Sequence, residues 1–172
     1  RTAWHKLRFN FGGSYTTYTS GNYVWVVDYA QRTSSANSDT SSGAWNNDSI
    51  PLSYWSGDKA IAEFLPEPFH CGGSTEVVYG GLIASLVDCH CCNLAVAYAY
   101  REEARPIGSE PKVLCVTAQL NVTYLKPTPI DQMITLSGRV LSIENRKIWI
   151  DCEVRSNKEV TSKGEVLIIR IN

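Results

Sequence analysis

Hydrophobic positions fall into two regimes along the chain. From residue 112 onward they sit in β-branched stretches at hairpin spacing: KVLCVTAQLNVTYLKP (112–127), QMITLSGRVLSIE (132–144), RKIWIDCEVRSN (146–157) and GEVLIIRIN (164–172). Turns at Glu144-Asn145 and Asn157-Lys158 join the later ones, and Pro127 and Pro129 stop the first. Before them runs GLIASLVDCHCCNLAVAYAY, too long and too continuously apolar for a strand, which predicts a helix from about Gly81 to Tyr100. A short strand is expected at 59–65, followed by a Pro- and Gly-rich crossing. Near the start, Leu7, Phe9 and Phe11 alternate with Lys6, Arg8 and Asn10, and YVWVVDY (23–29) is aromatic and β-branched. These two pieces are expected to form a hairpin across the intervening Gly-Ser-Thr segment. QRTSSANSDTSSGAWNNDS (31–49) has almost no apolar anchor and predicts a mobile loop, an insertion.

Strand, long helix and then four strands in sequence describe an α+β domain with one helix against an antiparallel sheet. A helix apolar on nearly every side needs partners around most of its circumference, which a strongly curved sheet supplies. Residues 58–172 form that domain in this reading, and residues 1–57 an extension rich in Ser, Thr, Asn, Gly, Tyr and Trp.

Composition narrows the function classes. At 172 residues and 44% hydrophobic the chain suits a single core rather than two. A net charge of -1 leaves no basic footprint for nucleic acid, so an anionic ligand must be met by local charges. The run at 81–100 is broken by Asp88, His90 and Asn93 and is not read as a membrane span. Of six cysteines, Cys89, Cys91 and Cys92 crowd onto one helix, where mutual disulfides are geometrically poor. Free thiols, and no charged-then-apolar leader after Arg1, give a cytoplasmic expectation.

On a helical wheel Asp88 shares its stripe with Gly81, Ala84, Ser85, Cys91, Cys92, Ala95 and Ala99, all small. Ile83, Leu86, Val87, His90, Leu94 and Tyr98 lie opposite, with the bulk of core residues. The acid therefore faces the side with room. Burying a carboxylate is costly unless it is paired, hydrated or protonated, and desolvation raises its pKa, which is how a base or nucleophile is tuned. The plainer reading is a buried acid bonded to a Ser, a Tyr or water. Seven residues earlier, Tyr79-Gly80-Gly81 opens the helix. Unpaired N–H groups and the positive end of the macrodipole suit a developing oxyanion there, and glycines allow close approach. The plainer reading of the glycine pair is a tight loop.

Gly80-Gly81, Asp88 and the later VTAQLNVTYLKPTP strand together resemble the hot-dog fold thioesterases, in particular the phenylacetate-pathway type of acyl-CoA thioesterase, over about Asp58 to Asn172. The resemblance implies a long central helix wrapped by a curved antiparallel β-sheet, with subunits joined as a dimer or a dimer of dimers and active sites at the interface. It implies that Gly80, with Gly81, presents backbone N–H to the thioester carbonyl. Asp88 then comes from the partner subunit as nucleophile or general base, and coenzyme A enters only as part of the substrate, with no metal or organic cofactor. Two positions depart from the pattern. Relatives carry His-Gly-Gly where this chain has Tyr79, and Asn or Gln where it has Gly73. Tyr79, His70 and Ser74 are the polar residues at hand to compensate. Cys92 takes the place of a hydroxyl that helps position water, and a thiol is the poorer donor.

Other groupings carry less. Cys89-His90-Cys91-Cys92 fans around the helix with no second CxxC pair, so no metal site is expected. Lys126, Arg139, Arg146 and Lys147 stand at strand ends or turns within reach of coenzyme A phosphates, and Lys126 is carried forward. Trp4, Trp25, Trp45 and Trp55 either cover part of an acyl pocket or anchor the extension. Hydrolysis of acyl-CoA thioesters is the leading expectation. Its rivals are a non-catalytic acyl-CoA or lipid-binding module and, with His70 as the histidine, an enoyl-CoA hydratase or dehydratase.

Overall fold

A computed structural model describes residues 53–172 together with the backbone of residues 15–20 and 22–27. The strands are β1 (Tyr15–Ser20), β2 (Asn22–Val27), β3 (Ser53–Ser56), β4 (Lys59–Phe64), β5 (Cys71–Gly72) and β6 (Ser74–Val78), then β7 (Cys115–Tyr124), β8 (Ile134–Glu144), β9 (Lys147–Ser156) and β10 (Glu159–Arg170). One helix, α1 (Gly80–Glu102), separates β6 from β7, and a short 3-10 turn spans Pro68–His70. Eight strands form one sheet in the order β1-β2-β3-β4-β8-β9-β10-β7, while β5 and β6 make a separate ribbon. Every pairing in the sheet is antiparallel.

The strand alternation explains the core. Ile134 and Leu136 on β8, Ile148, Ile150, Cys152 and Val154 on β9, and Val166 and Ile168 on β10 point inward with almost no exposure. They meet Leu82, Ile83, Val87 and Leu94 of α1 in one cluster. The helix approaches closely at Gly164, where a Cβ would sit 2.4 Å from Cγ1 of Val87. Only a glycine admits that approach. Length and apolarity alone would let α1 cross a bilayer, contrary to the expectation from its polar breaks, but 56% of its apolar window is buried within this molecule. Its packing is that of a core helix.

Several features differ from the sequence expectation, β5 and β6 within the expected crossing among them. The partner of β2 is β1, with Tyr15 opposite Val27 and Ser20 opposite Asn22, so the segment read as a connection is itself a strand. Tyr and Thr at 15–19 have the shape for it. The expected strand at 5–11, the loop at 31–49, and Trp4 and Trp45 lie outside the described residues. β3 pairs with β4 across Gly57-Asp58, adding a strand too short to carry a pattern. β10 begins at Glu159 rather than 164, because Asn157 and Lys158 both take positive φ (49° and 68°) in a tight hairpin turn. Finally, Cys91, Ala95 and Ala99 are core residues at 0%, 0% and 5% exposure, not part of the open stripe, and Tyr98 is only half-buried.

Candidate active site

The start of α1 is built without a cap. Tyr79 occupies the N-cap position in extended conformation, makes no capping bond, and no acid stands in the first turn. Its carbonyl accepts from the N–H of Leu82 at 3.1 Å and of Ile83 at 3.5 Å. The N–H groups of Gly80 and Gly81 meet no acceptor among the described residues. Donors and the positive helix end are thus left open together.

They open beside a cavity of about 460 Å³, lined by Gly72, Val77, Val78, Gly80, Ile83 and the segment from Tyr124 to Thr128. Backbone bonds fix its walls. The N–H of Val78 donates to the Thr128 carbonyl at 2.9 Å and that of Ile130 to Glu76 at 3.0 Å, which lays the chain after β7 along β6. The Tyr124 hydroxyl donates to the Gly80 carbonyl at 2.7 Å. Tyr79 is wedged between two glycines: a Cβ on Gly72 would sit 2.3 Å from its Cβ, and one on Gly81 2.6 Å from its ring. Lys126 stands at the mouth, exposed, with its ammonium 2.9 Å from Glu159 Oε2.

Asp88 lies elsewhere. Eight residues along the helix from Gly80 it is about 12 Å up the axis, and it does not line the cavity. One of its oxygens, Oδ1, is buried with no hydrogen-bond partner among the described residues. Its charge reaches the neighbouring thiols. Burial, then the Asp88 charge, pushes Cys92 up to about 11 and Cys89 up to about 12. Cys92, one turn on, holds its thiol toward the Cys115 carbonyl at 3.7 Å and bonds the Thr117 side chain. Thr117 on β7 is the hydroxyl facing this stripe. Sequence reading passed over it, although its place in the VTAQLNVTYLKP strand, which ends the sheet as β7, was available as a signal.

The remaining candidates are placed apart from both. His70 is buried between Phe64 and Phe69, its Nδ1 accepts the Glu67 N–H at 2.8 Å, and burial lowers its pKa. Ser74 is exposed in β6, with Oγ accepting the Glu76 N–H at 3.2 Å. His90 is in the core: Nε2–H donates to the Ala60 carbonyl and Nδ1 accepts from the Ser53 hydroxyl, both at 3.1 Å. All six cysteines are free. Arg139 pairs with Asp151 at 3.6 Å on the outer sheet.

Comparison with known proteins adds relatives. The family described as the Thioesterase superfamily matches residues 75–163. Acyl-coenzyme A thioesterase THEM4 of Mus musculus is 27% identical over 117 residues, 67% of this chain and 45% of that protein. The chain thus spans less than half the length of that relative. A thioesterase superfamily protein from Shewanella loihica is similar in structure at TM-score 0.56 and 36% identity, over 70% of this chain and 90% of the other. The PaaI protein of the E. coli phenylacetic acid degradation operon shares the fold at TM-score 0.57 and 14% identity, over 71% of this chain and 78% of its own.

Proposed function

This chain belongs to the thioesterase superfamily, and from that premise we propose that it hydrolyses acyl-CoA thioesters at a site shared between two copies. The observation that carries the reading is Asp88: a carboxylate oxygen buried, on a half-buried helix face, without a hydrogen-bond partner among the described residues. A structural acid in such a place would be paired. A reactive one is left open for substrate or water.

In this mechanism the acyl carbonyl docks at the uncapped start of α1, where the Gly80 N–H, with that of Gly81, stabilises the oxyanion. Asp88 of a second copy approaches from the other side, because within one chain it stands about 12 Å from the donors. It takes the proton of a water that attacks the carbonyl, or attacks directly and is released by water. The C–S bond breaks and coenzyme A leaves as thiolate. Thr117 supplies the hydroxyl that Cys92 lacks for holding that water. The apolar wall of Val77, Val78 and Ile83 receives the acyl chain, and Lys126 at the mouth meets a coenzyme A phosphate. Tyr79, held between Gly72 and Gly81, closes the side where relatives carry histidine. The chemistry so written requires no metal or organic cofactor. Six free thiols fit a reducing compartment, and a cytoplasmic location belongs to the same reading.

Thiol release from short, long and aromatic acyl-CoAs, measured for wild type and Asp88→Asn, tests this directly. The variant is expected to lose about 10²- to 10⁴-fold in rate. Full activity in Asp88→Asn sinks the role of the acid. Acyl-CoA that binds to wild type and is never cleaved selects the second reading, a binding module, which Tyr79 in the place of histidine favours. Hydration of an enoyl-CoA is supported by neither described histidine, since His90 is engaged by Ser53 and Ala60 and His70 by Glu67.

A further inference from the structure

Tyr124, the last residue of β7, is 53% exposed, yet its hydroxyl turns inward to the Gly80 carbonyl at 2.7 Å. Its ring lies against the same residue: a Cβ on Gly80 would be 3.2 Å from both Cζ and the phenol oxygen. Any side chain at position 80 would press on this ring. That carbonyl belongs to the peptide unit whose other end is the Gly81 N–H. A first-turn carbonyl already accepts the amide four residues on. A second bond, on its other lone pair, polarises the unit further and strengthens its N–H as a donor. The preceding unit is drawn the same way from within the helix, since the Tyr79 carbonyl accepts from Leu82 and Ile83 while its other end is the Gly80 N–H. The bond also ties the end of β7 to the start of α1, the two elements whose gap is the cavity.

We propose that Tyr124 is a positioning residue for the hydrolysis, its hydroxyl fixing and polarising the Gly80–Gly81 peptide so that the amide donors meet negative charge as it develops on the thioester oxygen. This role rests on the thioesterase reading above. It acts through the backbone and not through substrate, so it bears on the transition state more than on ground-state binding.

Tyr124→Phe keeps the ring and removes the bond. The test reads two quantities on wild type and variant: the amide proton shift of Gly81 by NMR of ¹⁵N-labelled protein, and kcat and KM on the best substrate of the acyl-CoA panel. The expected result is an upfield shift of the Gly81 amide and a kcat lowered about three- to tenfold, the range one neutral hydrogen bond commands, with KM unchanged. An indifferent Gly81 amide overturns the role, as does an unchanged kcat. An effect carried wholly by KM also overturns it, by making Tyr124 a substrate contact. A wild type that cleaves no acyl-CoA overturns the thioesterase reading and this role with it, whereas cleavage that ignores Tyr124→Phe removes the role alone.

Discussion

Two polar residues stand two positions apart on α1 and face opposite fates. His90 looks into the sheet, 1% exposed, with each ring nitrogen in a hydrogen bond. Asp88 looks out over the half-buried side, and one of its oxygens is buried without a partner among the described residues. His90 has both its nitrogens served within one chain, whereas Asp88 Oδ1 meets no hydrogen-bond partner among the described residues. A hydroxyl such as that of Ser162 can be left unpaired at modest cost, but a carboxylate oxygen costs more to leave so, which is why Asp88 stands out.

The largest expected effect breaks this comparison at the outer face. Asp88→Asn and Gly80→Val, the latter crowding the Tyr124 ring, each lose on the order of 10²-fold or more in thiol release. Mixed and allowed to exchange subunits, they are expected to recover up to about a quarter of wild-type activity. Half of randomly formed two-fold dimers carry one of each, and such a dimer rebuilds one of its two sites. No recovery would mean that acid and donors act within one chain, contrary to their separation. Asp88→Asn is also expected to melt no lower than wild type, since the oxygen it alters is buried with no hydrogen bond to lose among the described residues.

The inner face is tested by acid. Burial pushes His90 down to about 4, against an ordinary value of 6.5. The folded chain thus resists a proton that the unfolded chain accepts. Stability attributable to neutral His90 is full above the unfolded value and falls as pH drops from 6.5 toward 4, by about 3 kcal/mol in all. Denaturant unfolding across that window reads it. His90→Leu is expected to flatten the slope while lowering stability at neutral pH by about 1–3 kcal/mol, because Ser53 and the Ala60 carbonyl lose their partner. An unaltered slope would place the acid sensitivity elsewhere.

The two faces were unequally legible in the sequence. The long helix and the strands after it were readable because an apolar run of that length and β-branched stretches at hairpin spacing admit few alternatives. The buried character of Cys91, Ala95 and Ala99 was not, since a wheel gives angles between residues but not where the sheet ends. Small residues there mean close packing rather than an open groove: Cys91 and Ala95 lie in the main core, Cys91 bonding Cys152 of β9, and Ala99 packs with Tyr100 and Val113. The same closeness hid the first half of β10, whose inward Ser162 and Gly164 read as polar punctuation. Gly80, Gly81 and Asp88 were singled out by residue type and spacing, and their roles came from the family resemblance. Tyr124 and Thr117 were not, because both act across 20 or more residues of chain, on the helix from β7.

The smallest effect expected lies at neither face but at the cavity mouth. Lys126 and Glu159 are both more than half exposed, so their 2.9 Å pair adds about 1 kcal/mol or less to stability. Glu159 also competes for the charge that a coenzyme A phosphate would use. Lys126→Ala is then expected to raise KM about two- to fivefold with kcat unchanged. Glu159→Gln, which frees the ammonium, is expected to lower KM by a similar factor. Both differences should shrink as salt is raised, since exposed charges are screened. Steady-state kinetics at low and high ionic strength measures all of this. Opposite shifts in KM assign Lys126 to the ligand, whereas two variants indistinguishable from wild type leave it as a strand-end charge paired only with its neighbour.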